Sequence, residues 1–434
     1  MKTVQSALLF LLSATLALAQ APRLAVIKAG RVVDPQTAIV AANQKILIEN
    51  DKIKSIGANF QPPAGAAVID LSGLTVLPGL MDCHTHLCVA PVRITRGMFD
   101  NFPVPVRWDA GGWPGFYLTI LLNPTGYRAI HGVAHAREML ESGFTTVRDL
   151  GHAGNYADTD LRRAIEEDLI PGPTILNSGK KISPYGGQMT LQPDLREHGN
   201  PDYLFADTRD EMRKAIRENV HYGARVIKIV VAGQRYEYST EDIRFIVEEA
   251  ARAGLKVSAD CATRTASRHA AEAGLASIEH AIDMEEKDFA VAKRNNVALI
   301  INIPPELFFR ESGLSYNVMK PWTDRLRLAY RSGVRLAFGT DVVFSLPGLT
   351  HGQASLAFLQ SYIEAGIPAP DILRMMTTNA AELLGVEKER GALQSGLYAD
   401  LVAVPGNPLE DIQTLKKVSF VMKDGKVIKP PASR

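Results

Sequence analysis

Two histidines one residue apart, His84 and His86, close the stretch Val76-Leu77-Pro78-Gly79-Leu80-Met81-Asp82-Cys83-His84-Thr85-His86. In an extended segment, residues i and i+2 face the same side. Both imidazoles can therefore reach one metal ion at the end of a strand. Other polar residues stand at the ends of further apolar runs. Lys228 lies inside Val226-Ile227-Lys228-Ile229-Val230-Val231. A buried ammonium there is costly unless it is neutral, paired or modified. Asp260 follows Lys256-Val257-Ser258-Ala259, His280 ends Ser277-Ile278-Glu279-His280, and Asp341 ends Phe338-Gly339-Thr340-Asp341. Each alone has a plain reading: Lys228 reaching solvent, His280 capping a strand, Asp341 capping a helix. Together they describe a binuclear metal site.

The elements that must position these residues alternate along the middle of the chain. Apolar runs recur at 145–147, 174–176, 226–230, 256–259, 276–278, 297–301 and 335–338. With the run before His84 they make eight. Helical patterns lie between most of them. Thr208-x-x-Glu211 and Ser239-x-x-Asp242 are capping-box patterns, and Gly254 closes the second helix. Eight strand–helix units predict a parallel (β/α)8 barrel, with a doubly wound open sheet as the alternative. In a barrel the chemistry sits at the C-terminal ends of the strands, where the polar residues fall.

The two ends of the chain resemble each other and differ from the middle. Short β-type runs occur at 24–27, 45–48 and 53–56, and again at 400–404, 419–422 and 427–428. Asp424-Gly425 is a hairpin turn signal. One small β-sandwich built from both termini follows, from 20–76 and 389–434, flanking a barrel over 77–388. Met1-Lys2, the apolar run Ala7 to Leu18, and Ala17-Leu18-Ala19 before Gln20 read as a secretory signal peptide over 1–19. The expected location is secreted or periplasmic, with no membrane span.

The chain has 434 residues with 48 Lys and Arg against 47 Asp and Glu. That balance offers no basic patch for nucleic acid. Three cysteines, Cys83, Cys88 and Cys261, are too few for a disulfide framework and read as buried thiols.

The sequence resembles the amidohydrolase superfamily from about Leu24 to Lys429, and within it the imidazolonepropionase-like branch that includes metal-dependent dipeptidases. The resemblance is carried by Leu77 to His86, Thr145-Thr146-Val147-Arg148-Asp149-Leu150-Gly151, Ile170-Pro171-Gly172-Pro173, Ser277 to His280, Phe338 to Asp341, Thr377-Thr378-Asn379-Ala380-Ala381, and Gly391 to Val402. It implies the same barrel and sandwich. It also implies that His84, His86 and Asp341 hold the more buried of two divalent ions. Carboxylated Lys228 would bridge both ions, and His280 would hold the second. Zinc is the first expectation, with manganese or iron as the others.

Two positions depart from the family pattern. Asp260 stands where the family has a histidine at the end of strand five. It either ligates the second ion, leaves it weakly held, or leaves a one-ion site. Gln188, in Ser183-Pro184-Tyr185-Gly186-Gly187-Gln188, stands where relatives often have a histidine facing the substrate. Gln188, Arg235 and Tyr236 are the candidate substrate-binding residues. The implied activity is hydrolysis of amide, peptide-like bonds of a small or dipeptide-like substrate by a metal-bound hydroxide, with Asp341 as the catalytic base. A lactonase or esterase on the same centre, or a barrel that binds metal or small ligand without turnover, are the alternatives. A homo-oligomer stays open.

Overall fold

The computed structural model describes residues 22–90, 92–93, 122–188, 193–232 and 236–431. The proposed signal peptide and Arg235 lie outside the described residues.

Strands from both chain ends join in one seven-stranded sheet. Its order is Lys426–Lys429, Phe420–Lys423, Leu401–Val404, Ala67–Pro78, Leu24–Asp34, Ile39–Glu49, Lys52–Gly57. The sheet encloses its own core, which includes Ile27, Ile46, Ile48, Val76, Leu401, Phe420 and Met422. Asp424 and Gly425 both take positive φ between the last two strands, as a tight hairpin of right-handed twist requires. The apolar run before His84 is two strands, not one. Val76 and Leu77 pair with Ala403 and Val402 in the terminal sheet, and the strand Leu80–Thr85 enters the barrel. Gly79 permits the handover, because a Cβ there would lie 2.1 Å from Thr145 Oγ1.

The barrel strands follow the sequence closely. Strands one to three are Leu80–Thr85, Phe144–Asp149 and Thr174–Asn177, paired in parallel. Strands four to seven are Ile227–Ala232, Val257–Cys261, Ser277–Glu279 and Ala298–Ile300, also parallel. Two short strands not expected from the sequence, Lys181–Ser183 and Tyr203–Phe205, extend this second sheet beside strand four. The eighth position forms no full strand. Leu336 bridges Leu299, Cys83 N donates to Phe338 O at 2.9 Å, and Asp341 N donates to His84 O at 2.7 Å. These bonds close the ring between strands seven and one. Both expected capping boxes form, at Thr208 with Glu211 and at Ser239 with Asp242.

The period-two alternation of each strand decides what faces the barrel axis. Ile227, Ile229 and Val231 share a core with Met212, Ile216, Ile243 and Ile246 of the surrounding helices. Val257, Ala259, Cys261 and Ile278 belong to the same core. Their alternates, Lys228, Ser258, Asp260, Ser277 and Glu279, therefore face inward. Met81 and Cys83 pack with Ala298, Ile300 and Ala337, and a register shift between Asp82 and Thr85 lets His84 face the interior as well, against Glu279. All three cysteines are free and buried.

Inside the barrel, Arg148 is buried and donates to Cys83 O at 2.6 Å, Ser277 Oγ at 2.9 Å and Glu279 Oε1 at 2.8 Å. Removing one partner of such a pair strands the other charge. Arg148→Met should therefore cost about 3–5 kcal/mol. A falling thermal midpoint would show it, and Arg148→Met with Glu279→Gln together should recover part of the loss. An unchanged midpoint in the single variant would contradict this account of the interior.

Candidate metal centre

Six candidate residues converge at the mouth of the barrel. His86 Nε2 lies 3.0 Å from Asp341 Oδ1, and His84 Nε2 lies 3.5 Å from the same oxygen. His280 Nε2 lies 3.0 Å from Asp260 Oδ1 and 3.9 Å from Asp341 Oδ2. Lys228 Nζ, fully buried, donates to Asp260 Oδ1 at 2.8 Å. Two donor groups result, His84 with His86 and Asp341, and His84 with Asp260 and His280, each with its ligand atoms within 4.8 Å of one another. Two donors about 2.0–2.1 Å from a shared tetrahedral ion stand about 3.3 Å apart, so these spacings suit a divalent metal.

The far nitrogens of the two histidines supply an independent test of fit. His84 Nδ1 faces Glu279 Oε2 at 2.9 Å, and His86 Nδ1 faces Gly151 O at 2.8 Å. An acceptor on Nδ1 fixes the proton there and leaves the Nε2 lone pair directed at the site. The donor set therefore fits the ion that the sequence implies.

Backbone geometry aims two further candidates, His280 and Asp341. His280 and Asp341 take φ of 69° and 57°, a left-handed conformation uncommon for non-glycine residues. His280 N is held by Ile300 O at 2.7 Å, and Asp341 N by His84 O at 2.7 Å. Asp82 fixes the approach of strand one to the eighth segment, accepting from His84 N at 3.0 Å, Thr340 N at 3.2 Å and Thr340 Oγ1 at 2.7 Å.

The electrostatics hold the candidate ligands Asp341 and Asp260 ionised and His84 neutral, the forms that metal binding requires. Burial pushes the Asp341 carboxyl up, but His84 and the hydrogen bond from His86 outweigh it and hold it down to about 2. Burial likewise opposes ionisation of Asp260, yet the charge of Lys228 and the hydrogen bond from His280 hold it well below the ordinary range. His84 is lowered to about 4 by burial and by the charge of Lys228. For His280 burial acts downward, and the hydrogen bond and charge of Asp260 reverse it, so its pKa is raised.

The substrate-binding candidates separate. Gln188 sits beside the centre, with Nε2 donating to Asp260 Oδ2 at 3.2 Å. Its Oε1 accepts from Lys181 Nζ at 2.5 Å and Tyr203 OH at 3.1 Å. Tyr236 is exposed. The sequence reading assigned no role to Glu279, Arg148, Asp82, His152 or Lys181. Asp82 stands two residues before His84 and Glu279 immediately before His280, and that nearness was the available signal.

The sequence model of the amidohydrolase family matches residues 75–428. The chain belongs to that family. Family membership makes it a hydrolase, and its barrel with a terminal β-sandwich is the family's fold. Ochratoxinase of Aspergillus niger is 28% identical over 399 residues, covering 82% of this chain and 76% of the relative. An imidazolonepropionase of Bdellovibrio bacteriovorus is 23% identical over 410 residues, covering 89% and 88%. Among solved structures, a Xaa-Pro dipeptidase with methionine bound in its active site superposes with a TM-score of 0.77. It is 28% identical and covers 93% of this chain and 99% of its own.

The opposed shifts of two ligands give a direct check. In metal-free protein the His84 imidazole should titrate near pH 4, from the lowered value above, and His280 above the ordinary 6.5. Between those values His280 is charged and His84 neutral. Histidine NMR signals that titrate together would remove this description.

Proposed function

We propose that this amidohydrolase hydrolyses an amide bond of a small, peptide-like substrate at a divalent metal centre formed by His84, His86, Lys228, Asp260, His280 and Asp341. The observation that supports it most is the convergence of His84 Nε2 and His86 Nε2 on Asp341, with both Nδ1 atoms already engaged. The dipeptidase among its structural relatives favours a peptide-like substrate. Bound divalent metal supplies Lewis acidity, lowering the pKa of water and polarising a carbonyl. Asp341 is anionic at neutral pH and partly open to the mouth. It takes a proton from the attacking water and delivers it to the leaving nitrogen. Zinc is the favoured ion, and the carboxylate of Asp260 leaves room for harder ions such as manganese.

Carboxylation of Lys228 belongs to this reading. A carbamate would turn a fully buried ammonium into an anionic ligand. The 2.8 Å pair with Asp260 favours a second reading, in which Lys228 stays an ammonium and the site holds one ion. Protein grown with ¹³C-bicarbonate should show a carbamate carbon signal that Lys228→Ala lacks. A missing signal in the parent protein selects the one-ion reading.

The centre itself is tested by metal analysis and a substrate panel. His86→Ala should lose most of the bound metal, and Asp341→Ala should lower kcat by about 10²–10⁴-fold, the usual worth of a positioned acid or base. The panel pairs dipeptides and N-acyl amides with esters and lactones. Turnover of esters or lactones alone moves the activity to those bonds. A metal-loaded protein that turns over none of them is a binding protein.

Export completes the proposal. It rests on the apolar run Ala7 to Leu18 and the small residues before Gln20. N-terminal sequencing of protein recovered outside the cytoplasm should begin at Gln20, and an intact Met1 there would refute it.

A further inference from the structure

Asp260 is held on both oxygens. Oδ1 meets Lys228 Nζ at 2.8 Å and His280 Nε2 at 3.0 Å, and Oδ2 accepts from Gln188 Nε2 at 3.2 Å. A glutamine amide has one accepting end and one donating end, and only its partners decide which faces where. Both ends decide it here. Lys181 Nζ and Tyr203 OH both donate to Gln188 Oε1, at 2.5 and 3.1 Å. The Asp260 carboxylate only accepts, so the amide nitrogen must face it, and the oxygen is left to take the donors of Lys181 and Tyr203.

Lys181 is itself fixed. It is fully buried, its ammonium meets His152 Nε2, and it stands 4.7 Å above the Tyr203 ring. Its stem runs against Gly151, where a Cβ would lie 2.7 Å from Lys181 Cγ. His152 is buried with φ of 56°, the same left-handed conformation as His280 and Asp341. These contacts start from the loop after strand two and from the two short strands, Lys181–Ser183 and Tyr203–Phe205. They end on a residue of strand five. The two strands absent from the sequence expectation thus deliver the groups that hold Gln188.

We propose that Lys181 and Tyr203 are positioning residues for the Asp260 half of the metal centre. They lock the Gln188 amide so that it caps Asp260 Oδ2 and leaves Oδ1 as the single carboxylate atom presented to the second ion. The proposal rests on the two-ion reading above. It gives Gln188 a structural task in the centre, where the sequence suggested contact with substrate.

The experiment is a zinc titration of metal-free protein, followed by calorimetry and chelator competition. The parent protein should show two binding events, and Asp260→Ala one. Lys181→Met keeps the stem and removes the donor. It should weaken the second event about 10–100-fold, the usual worth of an outer hydrogen-bond partner, and leave the first unchanged. Tyr203→Phe removes one hydroxyl, so it keeps the test open if Lys181→Met does not fold. Its loss should be smaller and confined to the same event. Parent-like affinity for both ions in either folded variant, with Asp260→Ala reduced to one, overturns the positioning role and leaves the centre standing. Two ions retained by Asp260→Ala removes Asp260 from the ligands and overturns this proposal, whereas fewer than two taken by the parent overturns the two-ion centre and this proposal with it.

Discussion

Glu279 Oε1 accepts from Arg148 at 2.8 Å, Ser258 at 2.7 Å and Ser277 at 2.6 Å, and its Oε2 faces His84 Nδ1 at 2.9 Å. These partners stand on barrel strands two, five, six and one. A carboxylate wholly removed from water is tolerable only with such a set of donors. Burial opposes its ionisation, and Arg148 and His84 together hold its pKa below the ordinary range. The same contact fixes the tautomer of His84 and so the direction of its lone pair. Closing the barrel and aiming a candidate metal ligand are therefore one event. A slip of register in any of the four strands would break both, because it would turn Glu279 or its partner to the outer face.

Two candidate ligands, His280 and Asp341, are held in a backbone conformation uncommon for non-glycine residues. His280, Ala281 and Asp283 follow strand six with φ of 69°, 50° and 54°, and Asp341 follows the eighth segment with 57°. Such backbone costs of order 1–3 kcal/mol per residue and persists where surrounding bonds over-determine it. Here those bonds run to neighbouring strands, from His280 N to Ile300 O and from Asp341 N to His84 O. The eighth segment gives up regular strand pairing to make the second of these. Gly339 permits the crossing, since a Cβ there would stand 2.6 Å from Ile300 Cγ2 and 3.0 Å from His84 Cβ. Its failure to appear as a full strand and its use as a ligand carrier share that cause.

How much of this was legible in the sequence differs by residue. His84 and His86 could be read because their spacing matches the strand period, and the capping boxes because Thr208, Glu211, Ser239 and Asp242 act within one turn of chain. Local rules also gave the hairpin at Asp424-Gly425. The handover was legible in Pro78-Gly79 and in the boundary at 76/77, but the run read as one strand because its two flanking strands are both apolar and buried. The short strands Lys181–Ser183 and Tyr203–Phe205 have three residues each, too few to show a period. Lys181 and Glu279 were read past for a different reason. Neither is flanked on both sides by the apolar residues that mark Lys228, and most of their partners lie far along the chain.

The two departures from the family pattern are joined by one chain of hydrogen bonds. A neutral imidazole at the end of strand five would bring no charge. Asp260 brings one, and the barrel meets it with Lys228 on one oxygen and the Gln188 amide on the other. Behind the amide stands a second buried cation, Lys181, whose pKa burial lowers to about 7 although Asp260 pulls it upward. An added carboxylate ligand donates more charge to its ion and so weakens the activation of water. Donors on the far oxygen act in the opposite sense, because each draws charge away from the ligating atom. The amide fills this role better than an imidazole could. It donates to Asp260 and accepts from Lys181 at once without itself taking up a proton, as an imidazole would near neutral pH.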